Sequence, residues 1–589
     1  MAKKPKSTPP DLKIVGDDEL PELVVMNSNP HETANALVAQ LLPQNVLFRR
    51  DDHLVRVITP NDGGPPSIKA ASVSSITDDA HAYTRPVKRV KGDDGKLQLQ
   101  RCALPRAIAG IVQERVGVFP KWRSFTNAPL LMPDGEIRVL DGYDSASGLY
   151  GLNPINVDVP PDPKEADAKA ALLRVRRRSS TFPFEDAPTV RGAGGINLVD
   201  LTKPPGGDES AFLTGLLSAV AAPSLDFVPG LVVNAASLSG SGSGKSLLMQ
   251  AVARIAHGNA IPSVSATKVA EELEKKLAST LIKGHAMLFV QNYNGKVLQS
   301  DLIASAITDR PFDLRKFGTT ESVTIDACIF FGITGNAITI GEDMIRRVLR
   351  CDLDAKMDEP ERRQFKPGFL EGISTDRADI LSDLLTVYRW GCRHSNLPHG
   401  LPCGSFEMWG RLIRDPLLAL GCKDVVERQS ELKRRDPGRR DLAELFEACW
   451  KEFTNQHVLI SQLTDDIKDL IDPGQRRPKK ISSYINGLRN TQQGGFRFEV
   501  IEPEGRWSLN RYQLTQLEEE KKLAAPAAPA ATAPEPPADL GDDDDPPPPP
   551  ICGQCGSRRG PMVFNHFGDT GVMVWLHPEC RPFWLRSRS

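Results

Sequence analysis

No long uninterrupted apolar run occurs in the 589 residues. The most apolar region, Leu216 to Leu238, is broken by Pro223, Asp226 and Pro229, which argues against a membrane span. The opening MAKKPKSTPPDLK has no apolar core behind its positive charges, so it does not read as a signal peptide. Net charge is also nearly absent: 73 Lys and Arg against 75 Asp and Glu give −2, so any basic surface for nucleic acid has to be local. Paired cysteines are scarce. Seven of the ten (Cys102, Cys328, Cys351, Cys392, Cys403, Cys422, Cys449) stand singly, which fits thiols in a reducing compartment rather than a disulfide framework. What is present is ordinary for a soluble globular protein, 40% hydrophobic and 25% charged, with chain enough for about four domains.

Composition divides the chain. Residues 1–40 are polar and Pro-rich and read as a disordered arm; residues 41–160 alternate short strand patterns such as HLVRVI with a helical stretch, PRAIAGIVQERVG, and read as a small α+β domain. That domain shows no catalytic constellation, and its acids, Asp51 and Asp52 among them, read as solvated loop residues. Residues 165–421 form the largest unit, 422–440 a helical connector and 441–515 a further small domain. Residues 516–550, rich in Ala, Pro and Asp, cannot bury apolar surface and read as an extended linker to a last module, 551–589.

The chemistry lies in the middle. LVVNAA, Leu231 to Ala236, suits a buried parallel strand, and KSLLMQAVARIAHG a helix stopped by Gly258; between them stands a glycine loop. Strand, glycine loop and helix make up a P-loop. Backbone N–H groups of Gly240, Ser241, Gly242, Ser243, Gly244 and Leu247 would cradle phosphates, Lys245 would reach the β and γ phosphates of ATP, and Ser246 would ligate Mg²⁺. Ser239 stands where the pattern has its first glycine. The next strand, AMLFV, should end in an acid that holds Mg²⁺, but the residues there are Gln291 and Asn292. Amides hold a water well, yet they are poor metal ligands and cannot accept a proton near neutral pH.

The ordered set of P-loop, strand ending in an acidic or amide pair, strand ending in TGN at Asn336, then Arg346-Arg347 before another strand resembles the helicase domain of phage, plasmid and integrative-element replication proteins, in superfamily 3. The resemblance spans about Ala168 to Gly421. It implies a P-loop NTPase core of superfamily 3/AAA+ type with a parallel sheet, working as a homo-oligomeric ring, expected to be a hexamer, in the cytoplasm of a bacterial or phage-infected cell. It further implies that Asn336 is the polar sensor of the γ-phosphate, and that Arg346 or Arg347 is an arginine finger offered to the neighbouring subunit; without it the two arginines read as a helix end. Arg315 and Lys316 would lie in a hairpin gripping DNA in the pore, or in a plain surface loop. In this family the residue at Gln291 is usually Asp. Either Ser246, phosphates and water hold Mg²⁺ alone, or Asp301, Glu342 or Asp343 substitutes, or ATP is an assembly signal without useful hydrolysis.

Asp441 to Tyr512 reads as helices followed by a hairpin, the order of a winged helix. Arg476, Arg477, Lys479, Lys480, Arg489 and Arg506 would contact DNA phosphates, or the fold only packs on the ATPase. A second basic run, Arg174 to Ser180, reads as a solvated helix end. Near the C-terminus, Cys552-x-x-Cys555 and His577-x-x-Cys580 supply two ligand pairs for a closed structural Zn²⁺ site in a module too short for a core. The integrated expectation is a multidomain α/β and α+β replication protein of a mobile element, binding ATP, single- and double-stranded DNA and copies of itself, with weak hydrolysis. Any primase or polymerase would be a separate chain. The rival expectation is an ATP-gated DNA-binding scaffold that unwinds nothing.

Overall fold

The structure, a computed structural model, describes residues 20–60, 64, 66–93, 95–192, 197–236, 242–258, 261, 263–267, 269–315, 322–326, 329–357, 359–360, 368–394, 396–429, 437–501, 510–517, 563–567 and 572–576. It is a mixed α/β, multidomain fold built on a parallel sheet. The chain divides into two compact units, Met1–Gln516 and Leu517–Ser589. Among the described residues no helix is long and apolar enough to cross a membrane.

The disordered arm assigned to residues 1–40 has to be shortened. Glu22–Val24 is a strand and Pro30–Leu41 a helix. Asn29 accepts from the Glu32 N–H, Pro30 occupies the first turn, where its missing N–H is harmless, and Ala34, Leu37, Val38 and Leu41 bury one face. That spacing is helical, but polar and Pro-rich neighbours hide it from a reading by composition. Together with Ile76, Ile108 and Val112 these residues form a separate N-terminal core. The domain is bolted to its neighbour: Arg50 donates to the Leu281 carbonyl at 2.9 Å and to that of Ile282. Trp122 also closes on Gly284, whose backbone is left-handed (φ +78°) and where a Cβ would lie 2.6 Å from the indole.

The large core is organised by five parallel strands: β1 Gly230–Ala235, β2 Ser263–Ser265, β3 Met287–Gln291, β4 Phe330–Asn336 and β5 Val348–Leu353, in the order β2-β3-β4-β1-β5. Every residue of β1 is buried, as its continuous apolar run requires of a central parallel strand. Helices α1, Gly207–Ala221, and α2, Lys245–His257, pack on the sheet and on each other, and α3, Ala270–Ile282, leads into β3. The close fit needs glycine: a Cβ on Gly215 of α1 would lie 2.9 Å from Leu231 of β1. The basic run at Arg174 is a helix end with Arg174, Arg177 and Arg178 exposed, but one of its arginines is not solvated. Arg176 is buried and donates through Nε and Nη2 to Glu209 at 2.8 and 3.0 Å, and Arg174 reaches Asp383 at 2.5 Å. A paired arginine can be buried where a lone one cannot, and charge patterning alone does not reveal the partner.

Residues 437–516 carry their own core, including Phe446, Ile467, Ile481, Phe498 and Leu514. Helices α4, Pro437–Phe453, α5, Asp465–Ile471, and α6, Pro478–Gly487, precede three antiparallel strands, Gln492–Gln493, Phe496–Ile501 and Arg511–Gln516. In the second unit, strands Val563–Phe567 and Val572–Leu576 pair antiparallel with Val563 opposite Leu576.

Candidate nucleotide site

The site is the C-terminal edge of the sheet, where β1 hands over to α2. Gly242 and Gly244 are both left-handed, φ +76° and +94°, a conformation that a Cβ would penalise. Gly244 is the N-cap of α2 and supplies no side-chain acceptor, so the first-turn N–H groups take no cap from it and the positive end of the helix faces the loop. Lys245 opens the helix, and its Nζ donates to Oγ of the buried Ser243 at 3.1 Å. Burial pushes the Lys245 ammonium down to about 8. Ser246 and Leu247, half-buried, complete the first turn. Gly240 and Ser241 lie outside the described residues.

β4 lies between β1 and β3, and this brings Asn336 into register with Ala235. A Cβ on Gly332 would meet the Met249 sulfur of α2 at 2.5 Å, so the face carrying Gly332, Thr334 and Asn336 is turned toward α2. Thr334 Oγ1 and Asn336 Oδ1 on that face are buried without a hydrogen-bond partner. Buried polar atoms are normally paired, and two orphans on one face fit a place for a polar ligand or water. The backbone beside them is fixed. Asn294 Oδ1 accepts from the Asn336 N–H at 2.8 Å, Tyr293 N–H donates to the Thr334 carbonyl at 3.0 Å, and Asn292 turns the chain at φ +59°. Gln291 ends β3, its Nε2 donating to Ser265 Oγ on β2 at 3.4 Å.

Of the three substitute acids, two point elsewhere. Asp343 is held by Arg347, whose carbonyl accepts from Gly230 N–H at the start of β1, and Glu342 pairs with Arg439. Both belong to the end of the sheet opposite Lys245. Asp301 begins the helix Asp301–Thr308 on the exposed surface. An acid that sequence reasoning missed, Asp352 on β5, is in register with Asn234 of β1. Asn234 Nδ2 donates to it at 2.6 Å, Arg350 Nε at 2.7 Å, and Arg428 lies at 3.1 Å. Burial raises this carboxyl, but these hydrogen bonds and charges outweigh it and hold the group below the usual carboxylate range. The signal was the single polar residue, Asn234, in an apolar strand. Its Oδ1 accepts from the Ile338 N–H at 2.8 Å, so one side chain ties the end of β4 to the acid on β5.

The two candidate fingers differ. Arg347 is buried, donating to Thr308 Oγ1 at 3.2 Å and the Asp343 carbonyl at 2.6 Å, whereas the Arg346 side chain is 54% exposed and only 3.4 Å from Asp343. Arg315, itself exposed, ends a hairpin strand, Phe312–Arg315, whose Phe312 and Leu314 are buried; Lys316 lies outside the described residues. The N-terminal domain grips this hairpin, with Asp51 accepting from Thr324 N–H at 3.0 Å and Lys121 pairing with Asp326. Asp51 is therefore an anchor and not merely a solvated loop acid.

In residues 437–516, Arg476 pairs with Asp465 at 2.8 Å and with Asp469, while Arg477 and Lys480 converge on the buried Asp472 at 3.0 and 2.9 Å. Lys479 and Arg489 are exposed, and Arg506 lies outside the described residues. Cys552, Cys555, His577 and Cys580 also lie outside them, and among the described residues no cluster of His, Cys, Asp and Glu could hold a metal.

No protein-family model and no curated protein matches the chain. Similar solved structures include the A form apo structure of the NrS-1 C-terminal region, with TM-score 0.34, 10% identity and coverage of 82% of this chain and 98% of that one. A second apo structure of that region, spanning 305–718, has TM-score 0.31 and 10% identity and covers 82% of this chain and 99% of that one. TM-scores this low do not establish a shared fold.

Proposed function

We propose that the chain is a P-loop nucleotide-binding replication protein, of the superfamily 3/AAA+ kind, that binds ATP between copies of itself and hydrolyses it slowly. The observation that carries the reading is the unpartnered Asn336 Oδ1, buried at the end of the strand beside β1 and on the face of the glycine turn and Lys245. A γ-phosphate or its attacking water would satisfy that atom, and the helix end with Lys245 would carry the phosphate charge. The strand order supports the same reading, because placing β4 between β1 and β3 brings Asn336 and the Gln291–Asn292 pair to one edge. Ser246 would hold Mg²⁺, which when bound neutralises phosphate charge. Gln291 offers no carboxylate there, so water is oriented but not deprotonated, and turnover is slow.

Arg346 is the better finger, since Arg347 is engaged within its own chain. Residues 441–515 are read as a winged helix whose exposed Lys479 and Arg489 meet DNA phosphates, with Arg476, Arg477 and Lys480 beside them. Zinc on Cys552, Cys555, His577 and Cys580 is supported by the hairpin between the two pairs, which returns the chain to the side it came from. The test is equilibrium binding of a fluorescent ATP analogue to the full chain and to Lys245→Ala. Loss of at least about tenfold in affinity, with the melting temperature retained, is expected from removing a phosphate-paired ammonium; equal affinity would end the proposal.

A further inference from the structure

The N-terminal domain has no part in the nucleotide site, yet it carries the most one-sided charge among its strands. Between Arg85 and Arg106 the sequence has seven basic and two acidic residues, a balance of +5 in a chain whose total is −2. Strands Arg85–Lys91 and Leu97–Arg101 pair antiparallel, Val87 opposite Arg101 through Lys91 opposite Leu97. The turn between them is closed by Gly95 N–H donating to the Gly92 carbonyl at 2.9 Å, with Gly95 left-handed at φ +74°. The third strand of this sheet, Glu22–Val24, pairs only with Arg85 to Val87. Among the described residues the ladder beyond Val87 is two strands wide, and every residue of Leu97–Arg101 is exposed.

Such a ribbon ordinarily has one face on a core. Here one face presents Arg89, Lys91, Leu97, Leu99 and Arg101, and the other Lys88, Gln98 and Gln100, all exposed, Leu97 at 68% and Leu99 at 48%. Exposed leucines flanked by cations on a two-stranded ribbon that no described residue covers fit a partner that is negatively charged, offers apolar and hydrogen-bonding edges, and admits a ribbon. The major groove of duplex DNA meets all three: it is about 12 Å wide and accepts a two-stranded ribbon, its phosphate rims are anionic, and its floor presents thymine methyls and amide-matching edges. We infer that the ribbon Lys88–Arg101 is a duplex-DNA-binding element that lays the face of Arg89, Lys91, Leu97, Leu99 and Arg101 in the major groove, with Arg89, Lys91 and, from the rim, Lys88 on phosphates and Leu97 and Leu99 against thymine methyls. This inference does not depend on the nucleotide reading.

The test uses the full chain and a short fluorescein-labelled duplex of random sequence, titrated at several salt concentrations. For Lys88→Ala/Arg89→Ala/Lys91→Ala, duplex affinity should fall at least about tenfold and the slope of log K against log salt should drop by about two to three, each phosphate contact contributing about 0.9. Binding of the ATP analogue should be unchanged, which separates this result from failure of the nucleotide site or of folding. Leu97→Ser/Leu99→Ser should leave the salt slope intact while narrowing the affinity difference between A·T-rich and G·C-rich duplexes. Unchanged duplex affinity and slope in the triple variant would overturn the proposal. So would loss confined to single-stranded DNA, or loss confined to an acidic polypeptide such as polyaspartate.

Discussion

Individual residues carry the nucleotide reading, and two make separable predictions. Lys245 sits at about 8 in the folded protein, below its ordinary value, because burial penalises the ammonium. A lysine whose folded pKa is depressed leaves the folded state less protonated than the unfolded one between about 8 and its normal range, so the protein without nucleotide gains stability as pH rises through that window. A bound phosphate reverses the preference by stabilising the ammonium. Nucleotide affinity should therefore weaken as pH rises above about 8, with proton uptake on binding, which calorimetry in buffers of different ionisation enthalpy detects; affinity that is flat across the same range would contradict it. Asn336 Oδ1 has no partner to lose, so Asn336→Ala should cost no stability in thermal melts. It should still slow ATP turnover by about tenfold or more, as removal of a positioned polar group does. Lys245 and Asn336 were legible in the sequence because glycine loops and strand-end polar residues stand out locally. Asp352 was not, since its role comes from register with Asn234 across two strands more than a hundred residues apart.

Elements show where sequence patterns suffice and where they fail. The strand, turn and helix around Lys245 read correctly, because period and punctuation agree: an apolar run, glycines with left-handed backbones, and Gly258 at φ +76° ending α2. The helix Pro30–Leu41 was hidden by its setting, and the arginines after Lys169 by partners far along the chain. The last residue of α2 also has a measurable consequence. His257 is buried with Nε2 unpartnered, and burial, then the nearby Arg377 charge, depress it to about 3. The folded state thus refuses a proton that the unfolded chain accepts below its ordinary value. Stability should fall as pH drops from about 6.5 toward about 3, and His257→Gln should flatten that part of a urea-denaturation profile taken across pH. An unchanged slope in the variant would remove His257 from the acid response.

At the scale of the whole molecule, separate hydrophobic cores account for its organisation, and the largest spans Ala128 to Val426. Composition shifts along the sequence pointed to more than one core. How the N-terminal domain clasps the hairpin near Arg315 was not legible, because Asp51–Thr324 and Lys121–Asp326 are tertiary pairs with no local signature. The separate core of residues 437–516 makes a further prediction: Asp472→Ala, which releases Arg477 and Lys480, should lower the melting of that domain while ATP-analogue binding stays unchanged. A drop in both would mean that the two cores are coupled. The central claim, that the chain binds ATP and turns it over slowly because an amide stands at Gln291, is tested most directly by steady-state hydrolysis of wild type and Gln291→Asp, with and without single-stranded DNA. Tight analogue binding with slow wild-type turnover, and a rise of about tenfold or more in Gln291→Asp, is the predicted result. Rapid, DNA-stimulated hydrolysis by the wild type that Gln291→Asp does not increase would contradict it.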